Sequence, residues 1–125
     1  MNKKFDIIVY GATGFTGSLC VKYLKENYSG LTWGIAGRNQ EKLENLSKNL
    51  SLDCKIFIAD GDDLSALNEI TKQARVVLTT AGPFHRYGSK LVASCVENAT
   101  HYVDITGENF WVKKMIEKHH EKAKK

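Results

Sequence analysis

The segment Asp6–Gly17, DIIVYGATGFTG, constrains this chain more than any other. Ile7, Ile8, Val9 and Tyr10 make a short, almost unbroken apolar run rich in β-branched residues, the pattern of a strand buried on both faces of a parallel sheet. Gly11, Gly14 and Gly17 follow at intervals of three, and Leu19, Cys20, Tyr23 and Leu24 then recur at helical spacing. A strand, a glycine turn and a helix in direct succession form the opening of a dinucleotide-binding βαβ unit.

In such a unit one glycine permits the tight turn, one lets backbone N–H groups approach a pyrophosphate, and one lets helix pack on strand. The helix start then offers unpaired N–H groups and the positive end of its dipole to the phosphates. The spacing here is GxxGxxG, so the GxGxxG fingerprint is only partly matched. A Walker A loop is excluded, because no lysine lies in the turn.

Downstream, short apolar runs alternate with amphipathic helical patterns, which predicts a doubly wound α/β fold of the Rossmann type. Strands are expected at Phe5–Tyr10, Thr32–Ala36, Lys55–Ala59, Val76–Thr79 and His101–Ile105. Helices are expected at Thr16–Asn27, Gln40–Leu50, from an Asp63 N-cap to Lys72, at Tyr87–Asn98, and in a last segment with Phe110, Trp111, Met115 and Ile116 facing the core. Right-handed crossovers give a parallel sheet in the order 3-2-1-4-5 with helices on both faces. The turns after strands one and four, Gly11–Gly17 and Thr80–Pro83, then face one crevice where the strand order reverses.

At 125 residues the chain is expected to form one domain. No apolar run approaches the roughly 18–20 residues of a membrane span, and because MNKKFD enters the first strand directly, no signal peptide is expected. Cys20, Cys54 and Cys95 form no CxxC, so reduced thiols in an intracellular, cytoplasmic setting are expected, with Cys20 and Cys95 serving packing. The net charge of +4 belongs to the tail, since Lys113–Lys125 holds six lysines and two glutamates. That tail has no arginine and no aromatic residue beyond Trp111, which disfavours a nucleic-acid surface.

The turn after strand two discriminates between cofactors. NAD selection places an acid about 20 residues past the glycine motif, where it accepts from the ribose 2′-OH. Here the strand ends Ala36-Gly37-Arg38-Asn39, and Arg38 offers a planar, permanently charged fork suited to a phosphate. The reading is therefore NADP over NAD, with Asn39 as a helix cap or an adenosine contact. Asp60 is placed to accept from the adenine amine, whereas Asp62 and Asp63 are expected to shape a turn and cap a helix rather than bind metal. Thr80 and Ala81 are small enough for the backbone to approach the nicotinamide, and Gly82-Pro83 is either part of that approach or a plain turn. His85 and Tyr87 follow strand four as candidate proton donors, but no YxxxK pair or Ser-His-Asp spacing is present, and no catalytic residue is assigned.

The segments DIIVYGATGFTG, AGRNQEKL (Ala36–Leu43), TTAGPFHRYG (Thr79–Gly88) and HYVDITGE (His101–Glu108) resemble the N-terminal NADP-binding domain of saccharopine dehydrogenase-like oxidoreductases, and are similar to the trans-acting enoyl reductases. The resemblance implies cofactor roles for Gly11, Thr13, Gly14, Phe15, Thr16, Gly17, Arg38 and Asn39, and secondarily for Asp60, Gly82 and Pro83. It implies that residues 1–125 are the NADP(H)-binding part of a longer protein, whose second domain holds a small organic or lipid-like substrate for hydride transfer. The fragment alone is then expected to be inactive, and a homodimer is possible. A non-catalytic NADP-sensing or scaffolding module on the same fold is the competing reading.

Overall fold

The computed structural model describes residues 3–125. The reading of the N-terminus as leaderless rests partly on residues 1 and 2, which lie outside the described residues. Five parallel strands, β1 (Phe5–Tyr10), β2 (Trp33–Gly37), β3 (Lys55–Ile58), β4 (Ala74–Thr79) and β5 (His101–Asp104), form one sheet in the order β3-β2-β1-β4-β5. The helices are α1 (Phe15–Asn27), α2 (Gln40–Asn49), α3 (Leu64–Thr71), α4 (Phe84–Tyr87), α5 (Ser89–Glu97) and α6 (Asn109–Ala123). The expected strand order is the observed one.

β1 lies at the centre because both of its faces are apolar. Ile8 and Tyr10 join Ala36, Phe57, Leu67, Ile70, Val77 and Leu91 on one side. Val9 joins Val21, Leu24, Ile35 and Leu43 on the other. Alternate side chains of a strand point to opposite faces, so only a continuous apolar run fills both layers. Tyr10 pairs in register with Ala36 of β2 and Thr79 of β4. Three strands thus end at one level, and their exit loops share one edge of the sheet.

Two caps follow from the sequence as expected. The Asn39 carboxamide oxygen accepts from the Lys42 amide at 3.0 Å, and the Asp63 carboxylate accepts from the Ala66 amide at 3.1 Å. Three expectations need correction. The buried stripe of α1 runs through Gly17, Val21 and Leu24, whereas Leu19 and Tyr23 are 53% and 57% exposed. With Cys20, Tyr28, Ile7, Leu31 and Leu78 they line an open apolar groove beside the sheet. In α6 only Trp111 is buried, against Phe84 and Val92; Phe110 and Ile116 face outward because this helix packs on α5 at the edge of the fold. The helix expected from Tyr87 begins at Ser89, and Tyr87 instead closes a separate short helix, α4, which has no sequence period of its own. Among the described residues no helix is long and apolar enough to cross a membrane.

Between α3 and α5 runs a buried polar seam. Thr71 and Ser94 are fully buried, with hydroxyls 2.7 Å apart. Ser94 donates to the Asn68 carboxamide oxygen at 2.6 Å, and the Asn98 amide donates to the Thr71 hydroxyl at 2.8 Å. The Lys3 ammonium donates to the carbonyls of Thr71 and Asn98 and to the Thr100 hydroxyl, tying the chain start to the seam. Removing one partner strands the others away from water, so Thr71→Val should destabilise the fold by roughly 1–3 kcal/mol. Urea unfolding should show this as a lowered midpoint with an unchanged slope.

Candidate functional site

The cleft above the carboxyl ends of the strands is lined by Tyr10, Gly11, Thr13 and Gly14 from the first loop, Gly37 and Arg38 from the second, and Asp60 and Gly61 from the third. Thr80, Ala81, Gly82 and Tyr87 complete it after β4. The cleft is open to solvent and is shared by the exit loops of four strands, so a ligand lying in it meets all four.

The first loop is set by two glycines. Gly11 has φ +77°, a conformation that side chains disfavour, and a Cβ there would stand 3.0 Å from both the Ala81 nitrogen and its Cβ. At Gly17 a Cβ would fall inside the Gly11 carbonyl oxygen and 2.9 Å from the Thr80 hydroxyl. The start of α1 therefore lies directly on the end of β1, with the Thr80 hydroxyl donating to the Gly11 carbonyl at 3.3 Å. Gly14 differs: its nearest neighbour on the Cβ side is the Gly11 carbonyl oxygen at 3.5 Å, and the residue lines the cleft. It is also the N-cap of α1 and brings no side-chain cap, so the amides of the first turn are left for a partner from outside. This open, uncapped helix start is the observation that fits a phosphate-bearing cofactor.

The charge balance changes along the cleft. Arg38 is exposed and makes no hydrogen bond or ion pair among the described residues; its guanidinium lies 5.9 Å from the centre of the Tyr87 ring. Asp60 opens the third loop, where one carboxylate oxygen accepts from the Asp62 amide at 2.9 Å and the side chain faces the cleft. Burial, assisted by Asp60, pushes the Tyr10 phenol up to about 12. Tyr10 therefore stays protonated and donates to the Ala59 carbonyl at 2.9 Å.

Thr13, Gly14, Arg38, Asp60, Thr80, Ala81, Gly82 and Gly11 come together in the cleft as the sequence places them. Phe15, Thr16, Gly17, Asn39 and Pro83 do not line it: Gly17 is a packing residue, Asn39 caps α2 and Pro83 precedes α4. Of the two candidate proton donors, Tyr87 lines the cleft but sits with Arg38 and Gly61, whereas His85 stands outside the lining. Tyr10 and Gly61 were not singled out from sequence. Their signals were the last position of the buried strand and the glycine directly after Asp60.

His85 is held by Glu108 instead. That carboxylate accepts from the amides of Phe84 at 2.7 Å and His85 at 3.0 Å, and contacts the His85 ring nitrogen Nδ1 at 2.5 Å. It thereby pins the loop after β4 to the loop after β5. Burial raises the Glu108 pKa, but the bonds from the His85 side chain and the two amides outweigh it and hold the carboxyl below its usual value.

A family model described as the saccharopine dehydrogenase NADP binding domain matches residues 7–125. The chain is 40% identical over 124 residues to a trans-acting enoyl reductase of Mycobacterium leprae, and 39% identical over 130 residues to a lipid droplet localized protein of Caenorhabditis elegans. Each match covers 97% of this chain but only 30% of the curated relative. A solved saccharopine dehydrogenase (L-Glu forming) from Saccharomyces cerevisiae superimposes with a TM-score of 0.68 at 18% identity, over 89% of this chain and 24% of that one, which is a likeness of fold.

The two glycines of the first loop should separate experimentally. Gly17→Ala should destabilise the protein by about 3 kcal/mol through overpacking against the Gly11 carbonyl, while Gly14→Ala should cost about 1 kcal/mol or less as an N-cap change. Thermal or urea unfolding checks the contrast. The Glu108 tether carries a lowered folded-state pKa, so its contribution is complete above the unfolded carboxyl value and lost as pH falls through the folded one. In an NMR acid titration the Phe84 and His85 amide signals should move with that transition and lose it in Glu108→Gln.

Proposed function

This chain belongs to the saccharopine dehydrogenase NADP-binding family, whose cofactor is NADP, and from that premise we propose that the cleft holds NADP(H) for an oxidoreductase. The diphosphate sits on the open amides at the start of α1, over Gly14, with Thr13, Phe15 and Thr16 flanking it. Arg38 takes the ribose 2′-phosphate, and Asn39 completes that turn. Asp60 accepts from the adenine amine above Gly61, and the nicotinamide extends toward Thr80, Ala81, Gly82 and Pro83. When bound, NADP gives or takes the hydride; the chain binds the cofactor, aligns it along the cleft and presents its reactive ring beside β4.

The observation that carries this reading is the pairing of an uncapped helix start with a guanidinium at the end of β2, where NAD-selective sites place an acid. The chain spans 30% of the length of its curated relatives, which supports a second domain that supplies the substrate contacts and most of the catalytic groups. The isolated chain should then bind cofactor without turnover. Relatives that include a lipid droplet localized protein and an enoyl reductase favour an organic, lipid-like substrate.

Calorimetric titration of NADPH and NADH tests the assignment. Arg38→Ala should weaken NADPH binding by roughly 1.5–3 kcal/mol, about 10- to 150-fold, through loss of charged hydrogen bonds. NADH binding should change less than about twofold. An equal loss for both cofactors, or no loss for NADPH, overturns the assignment.

A further inference from the structure

The geometry points to Tyr87 as the positioning residue that aims the Arg38 guanidinium and so sets the preference for NADPH, an inference that rests on the 2′-phosphate reading above. Arg38 stands on the short turn between β2 and α2, exposed, with no hydrogen-bonding or ionic partner among the described residues. Its long side chain is therefore free to sample many rotamers unless something holds it. The Tyr87 ring, 5.9 Å from the guanidinium carbon, is the aromatic face within reach. A guanidinium at that distance is attracted by the negative face of the ring, and stacking leaves its N–H edge free for an anion.

Tyr87 can serve because its own place is rigid. It ends α4, where its amide donates to the Pro83 carbonyl at 3.1 Å. The helix is fastened at its start by Glu108 on the Phe84 and His85 amides, and at its end by the Gly88 amide donating to the Phe84 carbonyl at 2.7 Å. A Cβ at Gly88 would meet the Trp111 ring at 2.9 Å, so the helix end rests on α6. On the cleft side a Cβ at Gly61 would meet the Tyr87 carbonyl oxygen at 3.1 Å and its Cβ at 3.6 Å, so the third loop also supports the residue. The Arg86 guanidinium lies 5.3 Å from the same ring, so two cations gather on one aromatic platform and strengthen the positive potential there.

The test compares Tyr87→Leu with Tyr87→Phe in calorimetric titrations of NADPH and NADH, with thermal melts confirming that each variant is folded. Tyr87→Leu removes the aromatic face and should weaken NADPH binding roughly 3- to 10-fold while leaving NADH within about twofold. Tyr87→Phe keeps the face and should retain the wild-type ratio. In the Arg38→Ala background, Tyr87→Leu should add no further loss of NADPH affinity, because the residue acts through Arg38. Equal weakening of both cofactors, loss of selectivity in Tyr87→Phe, or an unchanged ratio in Tyr87→Leu overturns the inference. If Arg38→Ala is selective and Tyr87→Leu is not, only the positioning role fails; if Arg38→Ala is itself unselective, the cofactor reading fails with it.

Discussion

The contact on which the rest of the site depends is the seating of Gly17 on the Gly11 carbonyl. Any side chain at residue 17 would drive α1 away from the end of β1, and the amides of its first turn would leave the cleft. The same carbonyl accepts from the Thr80 hydroxyl, while Ala81 occupies the space that a side chain at Gly11 would need. One close approach thus locks the loops after β1 and β4 together. The sheet supplies the level from which both start, since Tyr10 and Thr79 are in register.

From that point the cleft divides its labour by chemistry. Backbone donors and a helix dipole occupy its middle, where no ionisable side chain is needed. The end beyond β2 and β3 carries the fixed charges, Arg38 and Asp60, with the buried Tyr10 kept neutral between them by desolvation. The end beyond β4 is lined by Thr80, Ala81 and Gly82, and offers space rather than charge. Such a graded cleft suits a long ligand with phosphates at its centre, a phosphorylated sugar at one side and a planar ring at the other.

Support for the site lies outside it. Glu108, on the exit from β5, places its carboxylate on the start of α4, and Trp111 of α6 packs against Phe84 of the same helix at 6.0 Å between ring centres. The edge strand and last helix therefore brace the loop that completes the cleft. On the opposite flank, the groove between α1 and the sheet leaves Leu19, Tyr23 and Tyr28 without cover. Covering it would bury apolar area that the domain by itself leaves in water.

Local chemistry made much of this legible in advance. The apolar run of β1, the glycine spacing, the Asn39 and Asp63 caps and the strand alternation each encode their own structure within a few residues, so the fold class, strand order and most cleft residues follow from sequence alone. Helix faces were less legible: Leu19, Tyr23, Phe110 and Ile116 carry the right spacing, but which side of a helix is covered depends on where it lies over the sheet. The partners of long side chains were hidden altogether. Arg38 meets Tyr87, and Glu108 meets the start of α4, across sequence separations that no local pattern records. Short-range periodicity and turn chemistry specify elements; only the packing of those elements brings distant charges, rings and amides to one place.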